Sequence, residues 1–383
     1  MESLIRKKEI KILEDLLESS SSEFVMFTGR ERLGKTFLVR NFFSDRSLYF
    51  EFTGRKGESK KSQIRHFSHT LSENFYKGKK QEKICADWDE AMSLLRDLVE
   101  ELSLEQKVVI FFDELSYFAS RKSGFLTALD LLWGRYFSRM KNVILIVCSS
   151  SVSWMFKELV SYKKKTASYL TRPVINIMPF TLAESAAYLE SRKVYLSKKQ
   201  LVDVYMLLGG IPYYLDLVPR ETSFTEFVYE VFFAENAFLR LEYYHIFNSL
   251  FDKPGKHLAI IELLAKHPSG LDQNKIFSEV SGLSPGGGAV DILEDLIHCG
   301  FVLNVPHYGK KKKETRYYLV DAFLCFFIRC VKNAGRPSME CWKKIQKNEN
   351  YFLWKQDAFK VLCLLSYKKI VQKLDLNVIA KGS

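Results

Sequence analysis

No stretch of this 383-residue chain is apolar for long enough to cross a bilayer: runs such as VILIVC at 143–148 and FLCFFI at 323–328 fall far short of the roughly 20 residues that a spanning helix needs. The opening MESLIRKKEIKILEDLL alternates charge with apolar residues at helical spacing, so neither a signal peptide nor an anchor is expected. Cysteine is sparse, odd in number at seven, and scattered through apolar surroundings. That excludes a disulfide framework and paired metal-type spacings, and leaves reduced core thiols and a cytoplasmic location as the expectation. Internal repeats and low-complexity segments are also missing, which argues against a solenoid or a disordered tail. Acidic residues are the minority charge, 45 against 57 basic, for a net +12. Such a surplus suits contact with nucleic acid or another acidic surface, and equally a coat of solubilising lysines.

What remains is the composition of a folded protein, 47% hydrophobic and 27% charged, long enough for two or three domains. In the first half, short apolar runs at Phe24–Thr28, Leu48–Thr53, Val108–Asp113, Val143–Ser149 and Val174–Met178 read as buried parallel strands. Between them, Gln63–Tyr76, Trp88–Leu102 and Phe125–Met140 have helical periodicity, so residues 1–180 form an α/β domain with helices on both faces of a sheet. Beyond Pro179 the strands stop. Thr181-Leu-Ala-Glu184 and Ser197-Lys-Lys-Gln200 have capping-box form, and 181–252 reads as a helical bundle. From 253 to 333 the order is HLAIIELLAK, LDQNKIFSEVSG and AVDILEDLIHCG as three helices, then FVLNV and TRYYLV as a hairpin, the outline of a winged helix. Residues 334–383 form a basic, aromatic, helical tail.

The chemistry concentrates in two places. The first is Gly29-Arg30-Glu31-Arg32-Leu33-Gly34-Lys35-Thr36, followed by Phe37, at the exit of the first strand. Glycines at this spacing let backbone N–H groups turn inward around phosphates; Lys35 serves the β and γ oxygens, and the Thr36 hydroxyl serves Mg2+. The second is VVIFFDEL, which puts Asp113 and Glu114 at the C-terminal lip of a buried strand, where open α/β sheets bind ligands. There Asp113 holds Mg2+ through water and Glu114 polarises the attacking water.

With these residues in hand, the chain resembles the prokaryotic "archaeal ATPase" group of P-loop proteins, related to the STAND and AAA+ ATPases. The likeness rests on Arg6-Lys-Lys-Glu9, GRERLGKT, FFDELSYF, SYLTRPVINIMPFTLAE and LGGIPYYL, and it continues through GFVLNV and RYYLVDAFLCFF. It implies a P-loop sheet of order 5-1-4-3-2, a helical lid over 181–252, and ATP as the nucleotide. It further implies a γ-phosphate sensor at Ser149, an arginine at Arg172 reaching a neighbouring subunit of a homo-oligomer, and lid contacts to the base from Gly210 and Pro212. Gly209-Gly210 ending one helix and Pro212 beginning the next explains the same residues structurally.

Members of the group often continue into a nuclease-like domain through Trp-x-Gly-x-Ala-Phe-Glu. Here the segment is Trp354-Lys-Gln-Asp-Ala-Phe359-Lys360, with the glycine missing and lysine for the acid, so no nuclease activity is expected. Lys310, Lys311, Lys312 and Lys313 in the wing suit a DNA backbone, whereas the third helix carries Asp291, Glu294 and Asp295 and nothing that reads bases. Three readings follow: an Mg2+-dependent ATPase switch, a non-hydrolysing nucleotide-bound module that docks a protein partner, and a DNA-binding ATPase.

Overall fold

Five apolar runs pair into one parallel sheet in a computed structural model of the chain, which describes residues 5–76, 83–104, 106–120, 122–160, 174–221, 223–306 and 315–374. The strands are β1 (Glu23–Thr28), β2 (Leu48–Thr53), β3 (Val108–Asp113), β4 (Val143–Ser149) and β5 (Val174–Asn176), laid side by side as β2-β3-β4-β1-β5. β3 and β4 lie inside the sheet and are buried at every position, so both faces must be apolar; edge strand β2 is buried only at alternate residues along its second half. The register sets Thr28 beside Ser149 and Thr53 beside Asp113, bringing the polar ends of four strands to one rim. β5 stops two residues before the run suggests. Ile177 still donates its N–H to Thr28 at 2.7 Å, but the Met178 carbonyl turns to accept from Arg6 at 2.5 Å.

Arg6–Met178 forms one unit and the chain from Pro179 onward forms another. In the first unit, the face of the sheet beneath the rim rests on a cluster of rings. Phe118 and Phe125 meet edge-to-face at 4.7 Å and Trp88 and Phe125 at 4.9 Å, the arrangement that ring quadrupoles favour. Phe118 lies four residues past Glu114 and Leu115 is fully buried, so the turn leaving β3 is keyed into the core on its far side.

In the second unit, both capping boxes form, and they start the helices Leu182–Ser191 and Lys198–Leu208. Helices Gly255–Lys266, Gln273–Glu279 and Gly287–His298 then accompany a three-stranded antiparallel sheet of β6 (Leu271–Asp272), β7 (Val302–Val305) and β8 (Arg316–Leu319). Leu271 and Asp272, which read as helical, instead pair with Tyr317 and Arg316 while Asp272 caps the helix that follows. Asp295 of the third helix is buried against His257, Nε2 to Oδ2 3.3 Å, so it faces inward while Asp291 is exposed. The tail packs on this unit: Trp342 and Trp354 are buried, Phe326 meets Trp354 edge-to-face at 4.7 Å, and the Trp342 indole donates to the Thr225 carbonyl at 3.1 Å. Among the described residues, no helix is long and apolar enough to cross a membrane.

Candidate active site

The loop after β1 has the backbone of an anion cradle. Gly29, Arg32 and Gly34 all have positive φ, at 143°, 69° and 78°, and the alternation of hand turns successive N–H groups to one side. A side chain at Gly29 would also put its Cβ 2.5 Å from the Ile177 carbonyl oxygen, so β5 itself demands glycine there. Helix Lys35–Phe43 begins with no side-chain cap, leaving its first N–H groups for a ligand. Lys35 is buried and its Nζ donates to the Arg30 carbonyl at 3.0 Å, folded across its own loop. Arg6, in the left-handed conformation just before the first helix, donates to the Leu33 carbonyl at 3.1 Å as well as to Met178, and so ties the loop to the end of β5.

Thr36 Oγ1 donates to Asp113 Oδ2 at 2.5 Å. A hydroxyl from the loop after β1 and a carboxylate from the end of β3, with β4 between the two strands, thus share one point, a pair of hard oxygen donors of the kind Mg2+ takes alongside phosphate oxygens and water. Burial pushes the Asp113 carboxyl above its ordinary value, helped by the charge of Glu114; the Thr36 and Cys148 hydrogen bonds and the charge of Lys35 pull the other way. A cation beside it would remove the main cost of burying that charge.

Glu114 sits in the left-handed region at φ 50°, which few non-glycine residues adopt, and strain of this kind gathers at functional sites. Its Oε2 accepts from both the Ser150 N–H, at 3.1 Å, and the Ser150 hydroxyl, at 2.6 Å. Tyr117 stands nearby with its phenol pushed up to about 12, by burial first and by Glu114 second, so it remains a proton donor at neutral pH. The site therefore holds a cradle for phosphates, an oxygen pair for a cation, and a strained carboxylate held at one oxygen only.

A family model described as an ATPase domain predominantly from Archaea matches residues 5–218, more than half of the chain. The protein belongs to this archaeal ATPase family. An uncharacterized protein of Methanocaldococcus jannaschii is 25% identical over 333 residues, 85% of this chain and 68% of that one. Among solved structures, the fold is shared with the Walker-type ATPase of Pyrococcus abyssi (TM-score 0.57, 18% identity, 85% of this chain and 95% of the other). It is shared too with the Aeropyrum pernix ORC2 protein, solved in ADPNP–ADP complexes (TM-score 0.54, 14% identity, 90% and 94%).

Within this archaeal ATPase the remaining candidates are placed as follows. Ser149 is fully buried at the end of β4 and its hydroxyl accepts from the Ser151 N–H at 3.1 Å. Its neighbour Ser150 is the one that touches Glu114, a role that the string Ser149-Ser150-Ser151 left undecided. Glu31 is half-buried on the loop, and Phe37, one residue past Thr36, is 71% exposed. In the second unit, Gly209 caps helix Lys198–Leu208 and Pro212 opens the short helix Pro212–Leu215. Gly210 donates nothing by side chain, yet a Cβ there would fall 1.8 Å from the Phe180 carbonyl oxygen, while its own carbonyl accepts from the Phe180 N–H at 2.6 Å. Arg172 and Lys310–Lys313 lie outside the described residues. Arg6 was visible only as part of a family string; its buried guanidinium, donating to two backbone carbonyls, is the signal that marks it.

Proposed function

We propose that this archaeal ATPase hydrolyses ATP with Mg2+ and works as a nucleotide switch. The observation that carries the reading is the 2.5 Å contact between Thr36 and Asp113, flanked by Glu114 on the same strand end. Thr36 and Asp113 are the residues that would hold the cation, which when bound would neutralise charge that builds on the phosphate oxygens. Lys35 leaves the Arg30 carbonyl for the β and γ oxygens, and Glu114 orients the attacking water through its oxygen not held by Ser150. Ser149 reads the γ-phosphate, Arg172 reaches the nucleotide of a neighbouring subunit, and Gly210 and Pro212 contact the base from a helical lid. The three helices and antiparallel sheet after Gly255 act as a winged-helix module whose position answers to the nucleotide. Lys360 stands where nuclease-bearing relatives have their acid, and Asp357 is ion-paired with Arg329 at 2.8 Å, which supports a tail without metal-dependent nuclease chemistry.

The test is turnover and nucleotide binding measured side by side. Glu114→Gln should keep an ATP-dependent rise in melting temperature and lose at least about 100-fold in kcat, the range for a general base. Lys35→Ala should lose the melting shift itself, a stabilisation of about 2.7 kcal/mol when ATP is at 100 times Kd. Unchanged turnover in Glu114→Gln overturns the assignment, whereas wild-type turnover near zero with copurified nucleotide marks a non-hydrolysing module. Stimulation by duplex DNA that fades with salt marks the DNA-binding form, with Lys310–Lys313 as its contact.

A further inference from the structure

The tail leaves more apolar surface in water than its packing requires. On helix Glu349–Leu365, Phe352 and Phe359 are 55% and 52% exposed, and beyond it Tyr367 and Leu374 are each 62% exposed. Phe352 and Phe359 stand seven positions apart with Gln356 between them, so they share one helical face. Across from that face, helix Lys198–Leu208 contributes Val202 and Met206, one turn apart, as the floor of a cavity of ≈ 570 Å³ between the two helices. Two helix faces with apolar side chains at such spacings form the groove into which a third helix packs.

The charge at the mouth indicates what kind of helix. Lys198 and Lys199 line the groove in the first turn of their helix, which contains no acidic residue, and neither is ion-paired among the described residues. Cations at a helix N-terminus oppose the macrodipole, so within this chain they are unfavourable. Lys355 on the opposite wall is already matched by Asp203 at 2.8 Å, which leaves the positive surplus at the Lys198 end. Acidic side chains on an incoming segment would meet two lysines and a helix N-terminus together. The apolar exposure also continues past the groove to Tyr367 and Leu374, more surface than a small molecule covers.

We infer that this groove docks an acidic amphipathic α-helix of a partner protein, with Phe352 and Phe359 gripping its apolar stripe above a floor that includes the buried Met206, and Lys198 and Lys199 its carboxylates. The inference stands apart from the nucleotide chemistry and does not depend on it. To test it, a fluorescent Leu/Glu amphipathic peptide of about five turns is titrated into the full chain and followed by anisotropy. Saturable binding is expected. It should weaken at least about tenfold, the loss of roughly 1.4 kcal/mol that removal of one anchor brings, in Phe359→Asp and in the pair Lys198→Glu/Lys199→Glu. The same loss is expected when the peptide's glutamates become lysines. Phe359→Asp should leave the melting temperature and its ATP-dependent shift unchanged, and the Lys198→Glu/Lys199→Glu pair should keep that shift without lowering the melting temperature, which separates lost docking from lost folding. No binding, equal affinity for the lysine peptide, or equal affinity in the variants overturns the proposal. So does occupancy of the face by another surface: binding to vesicles with anionic headgroups that the peptide does not compete away, or self-association that Phe359→Asp abolishes.

Discussion

At the scale of single residues, the site turns on three side chains whose settings differ. Glu114 is held by Ser150 through one oxygen, at 2.6 Å from the hydroxyl and 3.1 Å from the N–H, so its other oxygen can meet water. Ser150→Ala removes the shorter bond and keeps the backbone one. A hydrogen bond to a charged group contributes about 1.5–3 kcal/mol, so kcat should fall roughly tenfold or more while the ATP-dependent melting shift is retained. An equal loss of both would make Ser150 a general structural residue. Asp113 gives a second test, through pH. Because burial raises its pKa above 3.8, the folded protein holds a proton there that the unfolded chain has already released; over that window stability declines as pH rises, and above it the loss is complete. Asp113→Asn has no such proton. Its melting temperature relative to the wild type should therefore climb from acid towards neutral pH in the absence of Mg2+ and nucleotide; a flat or falling difference would contradict the burial argument.

At the scale of elements, legibility followed the length and isolation of the signal. β3 and β4 could be read to the residue because each is an unbroken apolar run ended by a polar residue, β2 because its aromatic residues alternate around Glu51, and capping boxes at Thr181 and Ser197 fixed two helix starts. Shorter elements were decided by partners distant in sequence. β6 is two residues long and exists because β8 offers it a ladder; the end of β5 is set by Arg6, 172 residues away from Met178. The site divides in the same way. Gly29 to Thr36, Asp113 and Glu114 are contiguous motifs, whereas Ser150 and Arg6 act through contacts that no local string encodes. Gly210 belongs to both classes, since a turn explains it but the contact with Phe180 enforces it. Gly210→Ala would drive a Cβ to 1.8 Å from the Phe180 carbonyl oxygen. Overpacking costs up to about 3 kcal/mol, so the variant should melt several degrees lower even without nucleotide. Wild-type stability in thermal denaturation would mean that the segment yields and that the glycine serves only a ligand.

At the scale of the whole molecule, the question is whether one chain holds a complete site. On the rim of the first unit, the cradle, the Thr36–Asp113 pair and the Glu114 carboxylate come from the phosphate loop and the end of β3. The transition state of phosphoryl transfer gathers charge on the equatorial oxygens, and an arginine delivered there accelerates the reaction by roughly 10³–10⁵. Arg172, proposed for that role across a subunit boundary, makes a prediction that a lone active chain does not. Arg172→Ala keeps its phosphate loop and lacks the finger, while Lys35→Ala lacks the loop and keeps the finger. Each should be inactive alone, the first with its ATP-dependent melting shift intact. Mixed at concentrations where the wild type associates, an Arg172→Ala subunit beside a Lys35→Ala subunit regains one complete site, so turnover should reappear and should vanish on dilution. Mixtures that stay silent while the wild type's turnover per chain is independent of concentration would place the whole of the chemistry within a single chain, with Arg172 outside it.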